Sequence, residues 1–175
     1  MNNEFKELYG SDIKRYGKNV SRYNKRLHYH LRKLQTSGNK ILLLWHKFAY
    51  SQLKKSRNIE LSYRTEIGKG LYLGHAFGIV VNPAAKIGEN VNLHKGVTIG
   101  QENRGPRKGA PTIGNKVWIG INATVVGKIT IGDDVLIAPN SFVNCDVPSH
   151  SVVFGNPCII KHRDNATEDY INNCV

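Results

Sequence analysis

The stretch that decides the fold is IGNKVWIGINATVVGKITIGDDVLIAPNSFVNCDV, residues 113–147. An aliphatic residue recurs at every sixth position, and the fourth residue after each one is small or β-branched. The aliphatic positions are Ile113, Ile119, Val125, Ile131, Ile137 and Val143. A period of six fits neither an α-helix nor an alternating amphipathic strand. It predicts short strands joined by tight corners, with one aliphatic side chain of each strand directed inward.

The same period continues upstream in two further runs. Their aliphatic positions are Leu61, Ile67, Leu73 and Ile79, followed by Ile87, Leu93 and Ile99. Three such strands make one triangular coil of about 18 residues, and stacked coils form a hexapeptide-repeat parallel β-helix. The sequence therefore predicts a mainly β protein with thirteen inward-facing aliphatic side chains. The period alone does not determine the handedness of the coil.

The repeat is interrupted twice. The first interruption is a turn at Asn82-Pro83. The second is a longer excursion over residues 101–112, QENRGPRKGAPT, which carries Arg104 and Arg107. Two interpretations stay open: a tolerated surface insertion, or an active-site loop whose cations meet phosphate or substrate.

Most of the basic charge lies in the first third of the chain. The net charge is +12, and residues 1–58 hold 14 Lys and Arg against three acids, while residues 59–175 hold 11 against ten. We therefore divide the chain into a basic α-helical segment (1–58), a β-helix domain (59–163) and a C-terminal tail (164–175).

Helical spacing of apolar residues predicts two helices in the basic segment, one spanning Tyr16 to Leu34 and one from about Lys40 to Lys55, separated by Ser37-Gly38-Asn39. One face of the second helix carries Ile41, Leu44, Trp45, Phe48, Ala49 and Leu53. The pair either caps the open end of the solenoid or binds an anionic membrane surface. Nucleic acid is disfavoured because no recognised motif is present.

Several classes of protein are disfavoured by composition. The longest apolar run is Ile41 to Trp45, far shorter than the roughly 20 residues of a membrane-spanning helix. The start of the chain lacks the pattern of a secretory signal. Three cysteines without a Cys-x-x-Cys pair argue against a disulfide framework or a cysteine zinc site, and fit a reducing cytoplasm. The solenoid has no closely spaced histidine pair, which disfavours a metal site.

His75 is the main candidate for chemistry. It follows an inward position in Leu73-Gly-His-Ala-Phe-Gly78, and Glu60 lies fifteen residues earlier, a little under one coil. A carboxylate next to an imidazole gives a general base that removes a proton from a hydroxyl. His94 is expected one coil from His75, although a structural role remains open for it, as does a solvated charge for Glu60. The other histidines have no carboxylate partner by coil spacing and are interpreted as structural or exposed: His28, His30, His46, His150 and His162.

The β-helix domain resembles a known protein family. Residues 59–163 resemble the hexapeptide-repeat acyltransferases, and among them the serine acetyltransferase branch. The resemblance rests on ELSYRTEIGKGLYLGHAFGIVV (60–81), LHKGVTIG (93–100) and GNPCIIK (155–161), and more weakly on DIKRY (12–16). It implies a left-handed β-helix, a homotrimer with active sites between neighbouring subunits, and acetyl-CoA as acyl donor without a metal.

The resemblance also implies roles for individual residues. His75 matches the general base, and the aspartate that orients the base falls on Glu60. The pantetheine arm is expected against Gly120 and Ala138, and Lys161 is expected to contact a phosphate of the cofactor.

The chain departs from the family at the acceptor. The serine-binding acid before the catalytic histidine is Gly74 here, and the family's Arg-His pair before a proline reads Gly109-Ala110-Pro111. Short relatives without these groups are similar to the O-acetyltransferases of capsule and exopolysaccharide clusters. The prediction is therefore transfer of an acetyl group to a sugar hydroxyl, with His94, Arg104 and Arg107 as acceptor-binding residues.

Two alternatives stay open, a serine O-acetyltransferase with an altered pocket and a non-catalytic trimeric binding module. The expected location is cytoplasmic, with residues 1–58 bringing the enzyme to the inner face of the membrane.

Overall fold

Residues 3–175 are described by a computed structural model, in which three α-helices precede a parallel β-solenoid. The helices are α1 (Asn3–Arg15), α2 (Arg22–Thr36) and α3 (Lys40–Lys55), with a short 3-10 turn at Gly17–Asn19. The sequence predicted only two helices. The predicted first helix was too long at its start, because the 3-10 turn ends α1 before α2 begins. Across residues 3–175, no helix combines the length and apolarity needed to cross a bilayer.

Side-chain caps fix where α2 and α3 begin. The Ser21 hydroxyl accepts a hydrogen bond from the Asn24 N–H, and the Asn39 side chain accepts from the N–H groups of Ile41 and Leu42. These bonds satisfy amide groups that the first helical turn leaves without partners. The predicted break before α3 and its bounds at Lys40 and Lys55 are confirmed.

Fifteen short strands follow in residues 60–162. In chain order they are β1 (Glu60–Leu61), β2 (Glu66–Ile67), β3 (Tyr72–Gly74), β4 (Val80–Val81), β5 (Lys86–Ile87), β6 (Asn92–His94), β7 (Thr98–Gly100), β8 (Thr112–Ile113), β9 (Val117–Ile119), β10 (Thr124–Val126), β11 (Thr130–Ile131), β12 (Val135–Ile137), β13 (Phe142–Val143), β14 (Ser151–Phe154) and β15 (Ile159–His162).

The strands form three sheets, one on each face of the coil. The orders are β1-β4-β7-β10-β13, β2-β5-β8-β11 and β3-β6-β9-β12-β14-β15, and every pairing is parallel except that of β14 with β15. Each coil therefore contributes one strand to each face, as the period of six predicted. The mainly β parallel solenoid with an N-terminal helical segment is confirmed.

The length of a coil changes along the solenoid. Glu60 pairs with Val80, twenty residues on, and Val80 pairs with Thr98, eighteen residues on. Thr98 then pairs with Thr124, because the excursion over residues 101–112 lengthens that coil. The predicted coil of about 18 residues describes the regular part, whereas the first coil is longer.

The predicted core is confirmed in full. All thirteen inward aliphatic positions are at most 8% exposed, from Leu61 to Val143. The fourth residue after each member of the last run is buried as well, including the small Ala123 and Ser141. Burial of a continuous aliphatic column is the main favourable term that holds the stacked coils together.

The helices extend this core beyond the first coil. Leu27 and Leu31 of α2 and Tyr50 of α3 pack in the same cluster as Leu61, and the Tyr50 hydroxyl donates a hydrogen bond to the Leu61 carbonyl. The helices thus cover the end of the solenoid that would otherwise expose its apolar interior.

The face of α3 that packs on the core differs from the predicted apolar face. His46 and Tyr50 are buried, whereas Ile41, Trp45 and Phe48 are at least 60% exposed. The docking of α3 on α2 and on the first coil decides which face is buried, and the helical period cannot show that choice.

Residues 164–175 fold back along the solenoid. The Thr167 N–H and hydroxyl donate to the Asp134 carboxylate, and the Val175 N–H donates to the Asn90 side chain. The Arg15 guanidinium donates to the Asn172 carbonyl, which ties this segment to α1.

Stacked glycines at one corner give a first testable prediction. A Cβ atom on Gly88 would lie 2.6 Å from the Gly114 carbonyl oxygen, whereas a Cβ atom on Gly10 in α1 has no neighbour within 4 Å. We expect Gly88→Ala to lower the free energy of unfolding by about 1–3 kcal/mol through overpacking. The matched Gly10→Ala is expected to be neutral or slightly stabilising. Denaturant unfolding of both variants at one protein concentration measures the difference, and equal midpoints would refute the stacked corner.

Candidate active site around His75

His75 lies at the corner that follows β3. Its backbone adopts a left-handed conformation with φ of 51°, and its side chain is exposed. The imidazole forms no hydrogen bond or ion pair with any residue from 3 to 175. The left-handed conformation recurs at later corners, as at Asn122 and Asn140, so it belongs to the turn of the solenoid. The ring nitrogens of His75 are open to an incoming group because no partner occupies them.

His75 opens onto a groove of about 800 Å³ between the helices and the first coils. The solenoid contributes His75, Ala76, Phe77, Lys95 and Ile121, and the helical segment and the turn after it contribute Ser21, Tyr23, Asn24 and Arg57. The volume falls within the range of small-molecule sites. A lining that combines apolar side chains such as Phe77 and Ile121 with polar and charged ones suits a ligand that is partly apolar.

Two contacts hold the helical wall of this groove in place. The Gly78 N–H donates a hydrogen bond to the Arg57 carbonyl, and the Arg57 guanidinium lies 4.9 Å from the centre of the Tyr23 ring. The sequence prediction missed Tyr23, Asn24 and Arg57, because their position depends on how the helices dock. Lys95 follows His75 by one twenty-residue coil and could have been found from the register.

The corner at which His75 lies is repeated on the following coils of the solenoid. Gly74 pairs with His94, and the Gly120 N–H on the next coil donates to the Ile137 carbonyl, which directly precedes Ala138. The predicted cofactor-binding residues Gly120 and Ala138 therefore stack on neighbouring coils beyond His94. This placement agrees with a groove that runs along the coils; their contact with a cofactor stays a prediction.

His94 lies beside His75, as the coil spacing predicted. Burial, together with the nearby charge of His75, lowers the pKa of His94 to about 4, so this ring is neutral at pH 7. Its buried Nε2 atom has no hydrogen-bond partner, and its ring lies 4.6 Å from the Trp118 ring, centre to centre. An unpaired buried nitrogen marks a position where a ligand group or water gains a hydrogen bond.

The ring of His94 fills the space where a side chain at position 74 would lie. A Cβ atom built on Gly74 would stand 2.5 Å from the His94 Nδ1 atom, a distance that real Cβ contacts do not show. An acidic side chain at this position is therefore incompatible with the observed orientation of His94.

The structure does not bring Glu60 into contact with His75. Glu60 is exposed at the start of β1, and neither a hydrogen bond nor an ion pair joins it to His75. Its carboxylate instead lies near Lys54, where it opposes the lowering of the Lys54 pKa that burial causes. The reason is the twenty-residue first coil, which places Val80 rather than His75 next to Glu60. The predicted pairing of Glu60 with His75 on neighbouring coils therefore stays a prediction, without a contact in the structure to support it.

The remaining predicted site residues lie away from His75 within one chain. Arg104 and Arg107 are exposed in the excursion at the corner between β7 and β8, whereas His75 lies between β3 and β4. Arg107 forms an ion pair with Glu102, at 3.3 Å from Nε to Oε2. Lys161 is exposed on β15 at the far end of the solenoid.

Three histidines have carboxylate partners that the sequence prediction missed, and one of them is the exposed His162, at 3.3 Å from Asp164. His28 is fully buried, and its Nδ1 atom lies 3.0 Å from Asp12. His150 lies 2.9 Å from Asp134, a spacing that follows the sixteen-residue step between β12 and β14. Both carboxylates also bind backbone N–H groups of distant segments. We interpret the two pairs as structural.

Comparison with known proteins adds to this geometry. The model of the family "Bacterial transferase hexapeptide (six repeats)" matches residues 110–145. A serine acetyltransferase of Helicobacter pylori is 38% identical over 109 residues, which cover 62% of this chain and 64% of that protein. The chain is a hexapeptide-repeat protein related to serine acetyltransferases. It spans less than two thirds of the length of this curated relative.

Solved structures agree with the fold of the hexapeptide-repeat protein. A Neisseria gonorrhoeae serine acetyltransferase in complex with serine aligns with a TM-score of 0.71 at 26% identity, covering 91% of this chain and 70% of that one. A serine acetyltransferase in complex with CoA aligns with a TM-score of 0.75 at 23% identity, covering 91% and 71%. The latter likeness shows the fold alone.

Proposed function

We propose that this hexapeptide-repeat protein is an acetyl-CoA-dependent O-acetyltransferase with His75 as its general base. The observation that carries the proposal is the exposed, unbonded imidazole that lines a groove of about 800 Å³. The serine acetyltransferase relatives support this class of reaction. The imidazole is the side chain best suited to gain and lose a proton near pH 7.

The chemistry follows from this placement. A His75 ring nitrogen removes the proton from the acceptor hydroxyl as its oxygen attacks the thioester carbonyl carbon. Backbone N–H groups stabilise the tetrahedral oxyanion. When the carbon–sulfur bond breaks, the imidazolium returns its proton to the CoA sulfur, so the enzyme ends in its starting state. Because Glu60 does not contact His75, the proposal assigns the proton transfer to His75 alone.

Gly120 and Ala138, which stack on neighbouring coils, mark the proposed path of the pantetheine arm. Ala138 is half-buried and has only a methyl group, whereas the Gly120 backbone is buried against the Trp118 ring, so contact with Gly120 requires that ring to move. Lys161 remains a proposed phosphate contact at the far end of the same solenoid.

L-Serine is the first acceptor that we propose, because the relatives and solved neighbours are named for it. A sugar hydroxyl is the second candidate, and a specific observation favours it. The His94 ring occupies the space of an acidic side chain at position 74, and the excursion reads Gly109-Ala110 where a cationic pair would hold a carboxylate. A zwitterionic acceptor such as serine then lacks partners for its ammonium and carboxylate groups. Each missing contact costs about 1–3 kcal/mol of binding free energy.

Thiol release from acetyl-CoA tests the proposal and separates the two acceptors. We expect turnover with L-serine at a KM at least about 30-fold above that of the Neisseria gonorrhoeae enzyme assayed in parallel, because two charged contacts are missing. Turnover of sugar acceptors at a higher kcat/KM than L-serine would assign the second candidate. Failure of every hydroxyl acceptor to raise the rate above acetyl-CoA hydrolysis would reject the O-acetyltransferase.

A homotrimer is the proposed assembly. Within one chain Arg104 and Arg107 lie at a different corner from His75, so these cations reach a catalytic groove only if that groove belongs to a neighbouring subunit. Analytical ultracentrifugation measures the assembly directly. The proposed association of residues 1–58 with an anionic membrane surface is independent of the reaction and rests on helix α3.

A further inference from the structure

Helix α3 presents a large apolar face away from the rest of the molecule. Ile41, Leu44, Trp45 and Phe48 recur at helical spacing and are 81%, 68%, 60% and 60% exposed. Leu42 beside them is 51% exposed. We call these five residues the α3 outer face. Among residues 3–175 nothing packs over it, because the opposite side of the helix makes the contacts with α2 and the first coil.

The charge around the α3 outer face has one sign. Residues 13–59 contain no Asp or Glu and carry 13 Lys and Arg. On α2 the exposed cations are Arg22, Lys25 and Arg26, and on α3 they include Lys47 and Lys55. The nearest acid toward the N-terminus, Asp12, is buried and bonded to Arg32, so it does not offset this surface charge.

Cations also lie near the seam between the two helices, on the side of α3 opposite the α3 outer face. His30 of α2 and His46 of α3 lie 2.9 Å apart through their Nδ1 atoms. Burial lowers the pKa of His30 to about 4, with further lowering by His46 and Arg26. Burial also lowers the pKa of His46, with a contribution from Lys33. Both rings are therefore neutral at pH 7, and the positive potential at the seam comes from the permanent cations.

We propose that the α3 outer face docks on an anionic lipid bilayer. The aromatic and aliphatic side chains enter the boundary between headgroups and acyl chains, and the cations of α2 and α3 lie against the lipid phosphates. Trp and Phe beside Lys and Arg are the side chains that interfacial helices use. This orientation lays the helix along the membrane plane, and no residue of the α3 outer face lines the His75 groove.

A second copy of the chain is a poorer fit to the same face. Two α3 outer faces in contact would bring two sets of cations together without any acid between them, and like charges facing each other oppose association. An anionic lipid surface neutralises the cations instead. Charge complementarity therefore favours the bilayer over self-association.

Sedimentation with vesicles tests the docking. We expect the protein to bind vesicles of phosphatidylcholine with about 30 mol% phosphatidylglycerol at least about tenfold more strongly than phosphatidylcholine alone, and to lose binding in high salt. Trp45 fluorescence should shift to shorter wavelength on binding. The double variant Leu44→Ser/Phe48→Ser should lose at least about tenfold in vesicle affinity.

A matched control separates an effect of the α3 outer face from the effect of replacing any exposed apolar side chain. Ile159 on β15 is also 50% exposed, and Ile159→Ser is expected to bind vesicles as wild type does. Circular dichroism confirms that both variants are folded, and thiol release in solution is read separately, so failure of docking and failure of catalysis are distinguishable. Equal binding to neutral and anionic vesicles, no binding, or equal loss in both variants would overturn the proposal. Loss of an assembly state in Leu44→Ser/Phe48→Ser without any lipid binding would identify a second copy as the occupant and overturn it too.

Discussion

His75→Asn is expected to lower kcat for thiol release by about 10²–10⁴-fold, the usual contribution of a positioned general base. The amide of asparagine retains polarity and approximate size but cannot accept a proton near pH 7. Because the His75 side chain is exposed and unbonded, the substitution should leave the fold intact. Initial rates with a saturating acceptor measure the loss, and circular dichroism with ultracentrifugation checks fold and assembly.

Glu60→Gln is the control for His75→Asn. The structure gives Glu60 no bond to His75, so we expect a change in kcat much smaller than that of His75→Asn. An equally large loss in Glu60→Gln would show that the two side chains pair during turnover. A variant at His75 that retains wild-type kcat would remove the proposed base.

Asp12→Ala is expected to lower the free energy of unfolding by about 3–5 kcal/mol, the cost of leaving a buried ion without its partner. Asp12 and Arg32 are both fully buried, with 2.7 Å between Arg32 Nε and the carboxylate. Asp12 also accepts from the Leu71 N–H, and Arg32 donates to the Ile67 carbonyl. The substitution therefore strands a guanidinium where α1 and α2 meet the solenoid.

The pKa of Asp12 gives a pH test of the same contact. Although burial opposes ionisation, hydrogen bonding and charge from His28 and Arg32 hold the pKa of Asp12 below its ordinary value. Its stabilising contribution is therefore present above the unfolded-state pKa near 3.9 and is lost as the pH falls through the lower folded-state pKa.

Denaturant unfolding at pH 7 compares Asp12→Ala with Glu7→Gln. Glu7 is an exposed acid of the same helix, 3.9 Å from Lys69, and its loss should change the stability by no more than about 0.5 kcal/mol. If the two variants unfold at the same denaturant concentration, the buried network does not fasten the helices to the solenoid.

The solenoid was predictable because each inward position requires an aliphatic residue, and these residues are visible in the sequence. One aliphatic residue per strand is enough to place Ile119 or Val125 in the core. The bounds of α3 were predictable for a similar local reason, since Asn39 can cap only the helix that follows it. Helix α1 was missed because its anchor is a buried acid, Asp12, rather than an apolar stripe.

The site was predicted in part, and there is a physical reason why some of its residues were predictable and others were not. Stacking of His94 beside His75 follows from the register, so spacing alone predicted it. The helical wall of the groove, with Tyr23 and Arg57, depends on tertiary docking and leaves no periodic signal. The pairing of Glu60 with His75 stays a prediction, because the register places Val80 rather than His75 next to Glu60 and no contact joins the two side chains within one chain.

Binding of acetyl-CoA in the groove beside His75 separates an enzyme from a non-catalytic solenoid. Titration calorimetry of the wild-type protein with acetyl-CoA measures this binding. We predict saturable binding at one site per chain, retained in His75→Asn because the base acts on the acceptor. Absence of binding to the folded wild-type protein would contradict this prediction and would favour a binding or assembly module.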